Sequence, residues 1–209
     1  MKFRVLIMVM LATNYIYSQD FVISTSAADL VELKTVIPEI ILDIKYACTD
    51  NFTGTIVYSS DRCFARKEVA QALVAVQKEL KTHGFQLLIW DIFRPVKAQW
   101  KFWNICPDPN YVSDPRKGGR HTRATAVDCT IVDSKTGVPV DMGTEFDDFT
   151  EKAWRNCTTI SEQAQKNRTF LEDIMNKYGF IGLPTEWWHF DYNGWESMPV
   201  LDVDIESIP

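Results

Sequence analysis

The stretch RHTRATAVDCTIVD, residues 120–133, sets a histidine and an aspartate seven positions apart on the edge of an apolar run. Ala124 to Val132 reads as a buried strand, and Ser134-Lys135-Thr136-Gly137 after it reads as a turn, so a hairpin is expected. Seven positions is an odd offset, which on one straight strand would send the two side chains to opposite faces. His121 therefore belongs in the loop or bend ahead of the strand, with Asp128 inside it.

Working outward, Asp43-Ile44-Lys45-Tyr46 alternates as a strand, followed by a turn at Asn51-Phe52-Thr53-Gly54. Val69, Leu73, Val76 and Leu80 recur at helical spacing, predicting a helix from Arg66 to Thr82 that stops at Gly84. Phe85 to Trp90 is a buried strand, and Pro95 can open the next helix. Pro107 to Gly119 reads as a loop. Ser161 to Tyr178 is a helix with Leu171, Ile174, Met175 and Tyr178 on its apolar side, and Trp187 to Tyr192 is a final aromatic strand. Helices and strands mix without a regular βαβ repeat. The expected fold is α+β, a single domain with a central antiparallel sheet and flanking helices.

The chain has 209 residues, 46% of them apolar, and a formal net charge of −6. That charge argues against a sequence-independent nucleic-acid binder, which needs a basic face. Lys2 and Arg4 precede an apolar run, Val5 to Ala12, and a polar stretch follows to Ser18. This is the order of a secretory signal, expected to occupy residues 1–18 and to leave a domain from 19 to 209 in an exported, periplasmic or secreted protein. The run is far short of the roughly 20 residues that span a bilayer, so no stable membrane insertion is expected. Five cysteines occur with no C-x-x-C pair, which excludes a zinc ribbon or thioredoxin motif. Cys48 and Cys63 are closest in sequence, though spacing alone does not pair them.

The only histidines are His83, His121 and His189. His83 ends a helix, where a positive charge is favourable. Asp128, flanked by apolar residues, needs a compensating charge. The candidates are an arginine (Arg120, Arg123 or Arg94) or a metal ion. Thr185-Glu186-Trp187-Trp188-His189-Phe190 adds the second fragment. Catalytic zinc takes three protein ligands and keeps one open position, which His121, Asp128 and His189 can meet. Glu186 then remains as a carboxylate beside the metal, where a general base for water must stand. Glu186 and His189 would face opposite ways on a regular strand, so a bulge or turn must lie between them. Arg94, in Asp91-Ile92-Phe93-Arg94-Pro95, can aim a fixed positive charge at an oxyanion. It can equally close a turn by pairing with Asp91.

Taken in order, DIKYACTDNFTG (43–54), DIFRP (91–95), RHTRATAVDCTIVD (120–133), DMGTEFDDF (141–149) and GFIGLPTEWWHFDY (179–192) closely resemble the D-alanyl-D-alanine dipeptidases. These are zinc peptidases that include the vancomycin-resistance dipeptidase, within the D,D-peptidase and hedgehog-like fold group. The resemblance implies one Zn²⁺ per chain on His121, Asp128 and His189. It implies Glu186 as the catalytic carboxylate and Arg94 as the transition-state arginine. It also implies Asp147 near the substrate's amino group and Tyr46 at the pocket. Two departures stand out. The family usually reads Ser-x-His-Ser-x-Gly, where this chain has Gly119-Arg120-His121-Thr122-Arg123-Ala124. The loss of a serine two before His121 removes a hydroxyl near the substrate, and Ala124 restricts a backbone that glycine leaves free.

The resemblance implies hydrolysis of D-alanyl-D-alanine or similar D,D-dipeptides, linked to cell-wall peptide turnover, with a small dipeptide as partner. A D,D-carboxypeptidase trimming longer stem peptides is the rival in the same chemistry. A non-catalytic binding module on the same fold would have a degraded site, whereas all five central residues are present. No oligomeric state is assigned.

Overall fold

The computed structural model describes residues 21–209, so the expected signal segment lies outside the described residues. Strands β1 (Ile23–Ser24) and β2 (Leu30–Glu32) lead into a one-turn helix α1 (Leu33–Val36) and strand β3 (Ile41–Leu42). Then come β4 (Phe64–Arg66), helix α2 (Lys67–Thr82), β5 (Phe85–Asp91) and helix α3 (Val96–Ile105). Strand β6 (Ala126–Asp133), helix α4 (Glu162–Lys177), β7 (Phe180–Gly182), β8 (His189–Tyr192) and β9 (Val200–Leu201) complete the order.

The main sheet has five strands in the order β3-β5-β6-β8-β7. It is antiparallel except at one edge, where β3 runs parallel to β5. Helix α2 lays Val69, Leu73, Val76 and Leu80 against this sheet, all of them fully buried. Its Gln77 accepts a hydrogen bond from the Leu87 N–H at 2.9 Å and fixes the helix to β5. Helix α4 is capped by Ser161, whose Oγ accepts from the Ala164 N–H at 3.0 Å. This side-chain oxygen satisfies one of the four amides that a helix start leaves unpaired. The buried face of α4 also includes Arg168, whose Nε donates to the Met142 carbonyl at 2.7 Å. All five cysteines are free thiols.

Two expectations are corrected. Asp43 to Tyr46 is not a strand. The strand ends at Leu42, and Lys45–Ala47 forms a 3-10 turn. The Tyr46 carbonyl accepts from the amides of Val57 and Tyr58, so the returning loop pulls this segment off the sheet edge. The final aromatic strand begins at His189, because Trp187 and Trp188 lie in the turn ahead of it and pack inward. The hairpin expected after β6 is present but short: an antiparallel bridge, Val132 with Pro139, flanked by the Asp133 N–H to the Val138 carbonyl at 3.0 Å and the Val140 N–H to the Ile131 carbonyl at 3.1 Å.

Candidate metal centre

The sheet register assembles the site. Asp128 on β6 is paired with His189 on β8 and, on its other side, with Asp91 at the end of β5. The second pairing depends on a register shift between Ile89 and Asp91. Such a bulge re-aims the side chains beyond it, and here it sets Asp91 beside Asp128. His121 arrives from a 3-10 turn, His121–Arg123, ahead of β6. Ala124 closes this turn in the left-handed region, with φ 57°. The Arg94 N–H donates to the His121 carbonyl at 3.1 Å, tying the turn to the end of β5.

The imidazole hydrogen bonds define which nitrogens face inward. His121 Nδ1 lies 2.9 Å from the Ile92 carbonyl, which can only accept, so this nitrogen carries the proton. His189 Nε2 lies 2.9 Å from Asp191 Oδ1 and is held the same way. The opposite nitrogens, His121 Nε2 and His189 Nδ1, are left with lone pairs and sit 3.3 Å apart. The Asp128 carboxylate lies 3.3 Å from the first and 3.0 Å from the second. All three ligand atoms fall within 4.8 Å of one another in a buried setting.

Two lone pairs and a carboxylate converging in low dielectric repel unless a positive charge sits among them. The donor set, two imidazoles and one carboxylate, is one of those that zinc takes in catalytic sites. The residues therefore fit a divalent cation. Without one, burial opposes protonation of His189, yet the Asp128 and Asp191 carboxylates outweigh it and raise its pKa to about 10. Burial likewise opposes ionisation of Asp128, and the two histidines overcome it, holding the carboxyl well below its ordinary range.

Glu186 stands at the rim, its Oε2 3.7 Å from His189 Nδ1. A turn between the two residues, in which the His189 N–H reaches the Glu186 carbonyl, brings both side chains to one place. Burial raises the Glu186 carboxyl to about 7, and the neighbouring Asp128 charge adds to this. Arg94 donates from Nε and Nη2 to Asp91 Oδ2 at 3.0 and 2.8 Å, and from Nη1 to Gln99 Oε1 at 3.1 Å. The expected Asp91–Arg94 pair thus exists, and it holds the guanidinium 3.9 Å from Asp128. Asp147 sits at φ 58°, an uncommon conformation for a residue with a side chain. Tyr46 donates its hydroxyl to the Asp147 carboxylate at 3.1 Å.

His121, Asp128, His189, Glu186, Arg94, Asp147 and Tyr46 all line one cleft of about 270 Å³. Three supporting residues were not anticipated. Tyr58 donates to Asp91 at 2.9 Å, Gln99 holds Arg94, and Asp191 orients His189. Only Asp191 left a trace in the sequence, since residues two apart on a strand share a face.

Residues 26–199 match the family described as D-ala-D-ala dipeptidase. A D-alanyl-D-alanine dipeptidase of Escherichia coli (strain K12) is 38% identical over 177 residues, covering 85% of this chain and 91% of the relative. One from Enterococcus faecium is 33% identical over 168 residues, covering 71% and 83%. One from Streptomyces coelicolor is 32% identical over 171 residues, again covering 71% and 83%.

Proposed function

The chain belongs to the D-alanyl-D-alanine dipeptidase family of metallopeptidases, and from that premise we propose that it is an exported zinc enzyme that splits free D,D-dipeptides. The observation that carries the reading is the convergence of inward-facing ring nitrogens of His121 and His189 with the Asp128 carboxylate. No helix among the described residues is long and apolar enough to cross a membrane. The N-terminal basic and apolar pattern supports export to the periplasm or beyond, where cell-wall peptides supply the substrate.

His121, Asp128 and His189 hold one Zn²⁺ per chain. A cation in such a site supplies Lewis acidity, polarising a carbonyl and lowering the pKa of water from about 15.7 to about 7. Glu186 takes the proton of the attacking water and returns it to the leaving amine. Arg94, fixed by Asp91 and Gln99, offers positive charge to the oxyanion that develops on the scissile carbonyl. Asp147, held by Tyr46, receives the substrate's free ammonium. The cleft is a little smaller than the roughly 300–1,000 Å³ common for ligand sites, in keeping with a dipeptide.

Steady-state hydrolysis of free D,D-, L,D- and L,L-dipeptides, with and without chelator, tests this reading. Chelator-sensitive hydrolysis confined to D,D-dipeptides is expected. Activity untouched by chelation, or preference for L,L-dipeptides, contradicts it. A second reading, a D,D-carboxypeptidase, draws support from a larger neighbouring cleft of about 1020 Å³ that shares Phe52 and Asp147 with the site. N-acylated D-Ala-D-Ala separates the two, since only the carboxypeptidase tolerates a blocked amine.

A further inference from the structure

Beside the proposed ligands, the cleft holds a second guanidinium, that of Arg120. Its Nε lies 2.9 Å from Asp191 Oδ2, and its side chain keeps 31% of its exposure. Its guanidinium carbon lies over the Trp195 ring, 5.0 Å from the centroid. Among the described residues, Nη1 and Nη2 have no hydrogen-bond partner. Arg94 differs, because Asp91 and Gln99 engage all three of its nitrogens. Arg120 is thus a cation ion-paired with Asp191, its terminal donors unused, and it lines the same cleft as Glu186 and His189.

The placement of the charges gives Arg120 a partner. Tyr46, which holds Asp147, follows β3 at one edge of the sheet. Asp191, which holds Arg120, lies on β8, on the far side of β5 and β6. The proposed metal ligands Asp128 and His189 lie on β6 and β8. A dipeptide with its ammonium at Asp147 and its carbonyl near Glu186 must send its terminal carboxylate onward, away from the Tyr46 side. Gly119, two before His121, has no side chain to meet it. A guanidinium with two parallel free N–H groups matches a carboxylate bidentately.

Resting on the dipeptidase reading, we propose that Arg120 is the receptor for the substrate's free C-terminal carboxylate and so sets the requirement for an unblocked C-terminus. The Trp195 face and Asp191 hold the guanidinium in place before the substrate arrives. The Arg120–Asp191–His189 chain also joins carboxylate docking to the orientation of a metal ligand.

The test compares D-alanyl-D-alanine with its C-terminal amide in the metal-loaded wild type, Arg120→Ala and Arg120→Lys. Loss of a hydrogen bond to a charged group weakens binding by about 10- to 100-fold. The wild type should therefore favour the free acid over the amide by that factor in kcat/KM. Arg120→Ala should bring the ratio near one by weakening the acid alone, and Arg120→Lys should keep part of it. Calorimetric binding of D-alanine against D-alaninamide gives the same ratio without turnover. A ratio unchanged in Arg120→Ala, or no acid preference in the wild type, overturns the proposal. If Arg120 merely braced Asp191, its loss would slow both substrates equally and loosen the metal. Failure of the dipeptidase reading shows separately, as a wild type that hydrolyses neither substrate.

Discussion

Asp128 on β6 and His189 on β8 are direct cross-strand partners, with His189 Nδ1 3.0 Å from Asp128 Oδ1. The contact is therefore a product of sheet register, and a one-residue slip would turn one of the pair away. His189 is held from behind by Asp191, two residues along the same strand.

That outer partner makes a prediction. Removing a carboxylate that orients a ligating histidine typically weakens metal affinity about 10–100-fold. Asp191→Ala should show this loss in a chelator competition while keeping its far-ultraviolet dichroism. Wild-type affinity in the variant would mean that the imidazole needs no such support.

Arg94→Lys keeps a positive charge but cannot reproduce the fork that reaches Asp91 and Gln99 together. Turnover should fall about 10²–10³-fold, the usual cost of a lost oxyanion donor, with zinc content unchanged. A kcat/KM within a few-fold of wild type would remove Arg94 from the transition state.

Asp147 gives a pH signature. Burial, aided by the Asp128 and Glu186 charges, raises its carboxyl well above the ordinary range, against the pull of the Tyr46 hydroxyl and Arg94. A carboxyl whose folded pKa exceeds its unfolded one binds more protons when folded, so stability falls as pH rises past the unfolded value. Asp147→Asn removes this penalty and tolerates the positive φ. In metal-free protein the variant should match the wild type at pH about 4 and gain on it towards neutrality in urea unfolding. A stability difference constant across that range refutes the assignment.

Ala124 occupies a left-handed position, φ 57°, where the family pattern has glycine. A Cβ at positive φ costs more than the unfolded-state entropy that alanine saves, so Ala124→Gly should stabilise by up to about 1 kcal/mol. A lower melting temperature in the variant would show that contacts of the buried methyl outweigh the backbone strain.

Much of the site could be read in the sequence because its residue types are scarce. Three histidines, one explained by a helix end, leave few ways to build a cluster. The offset between His121 and Asp128 also foretold a bend before the strand, and the structure has one at Ala124. What stayed hidden depends on long-range register. The shift that brings Asp91 beside Asp128, and the hydroxyl of Tyr58 that meets Asp91 across 33 residues, have no local pattern. The pairing of β1 with β9 joins opposite ends of the described chain through two residues each. The strand misread at Asp43–Tyr46 shows the converse, since alternation there is overridden by amides returning from Val57 and Tyr58.

Zinc content and D-Ala-D-Ala turnover, measured side by side on Glu186→Ala, test the central claim most directly. Loss of a general acid–base group costs about 10²–10⁴ in rate. The variant should bind one zinc per chain as the wild type does and lose turnover by that factor. A variant that still hydrolyses the dipeptide at the wild-type rate, or a wild-type protein that binds no zinc, contradicts the account.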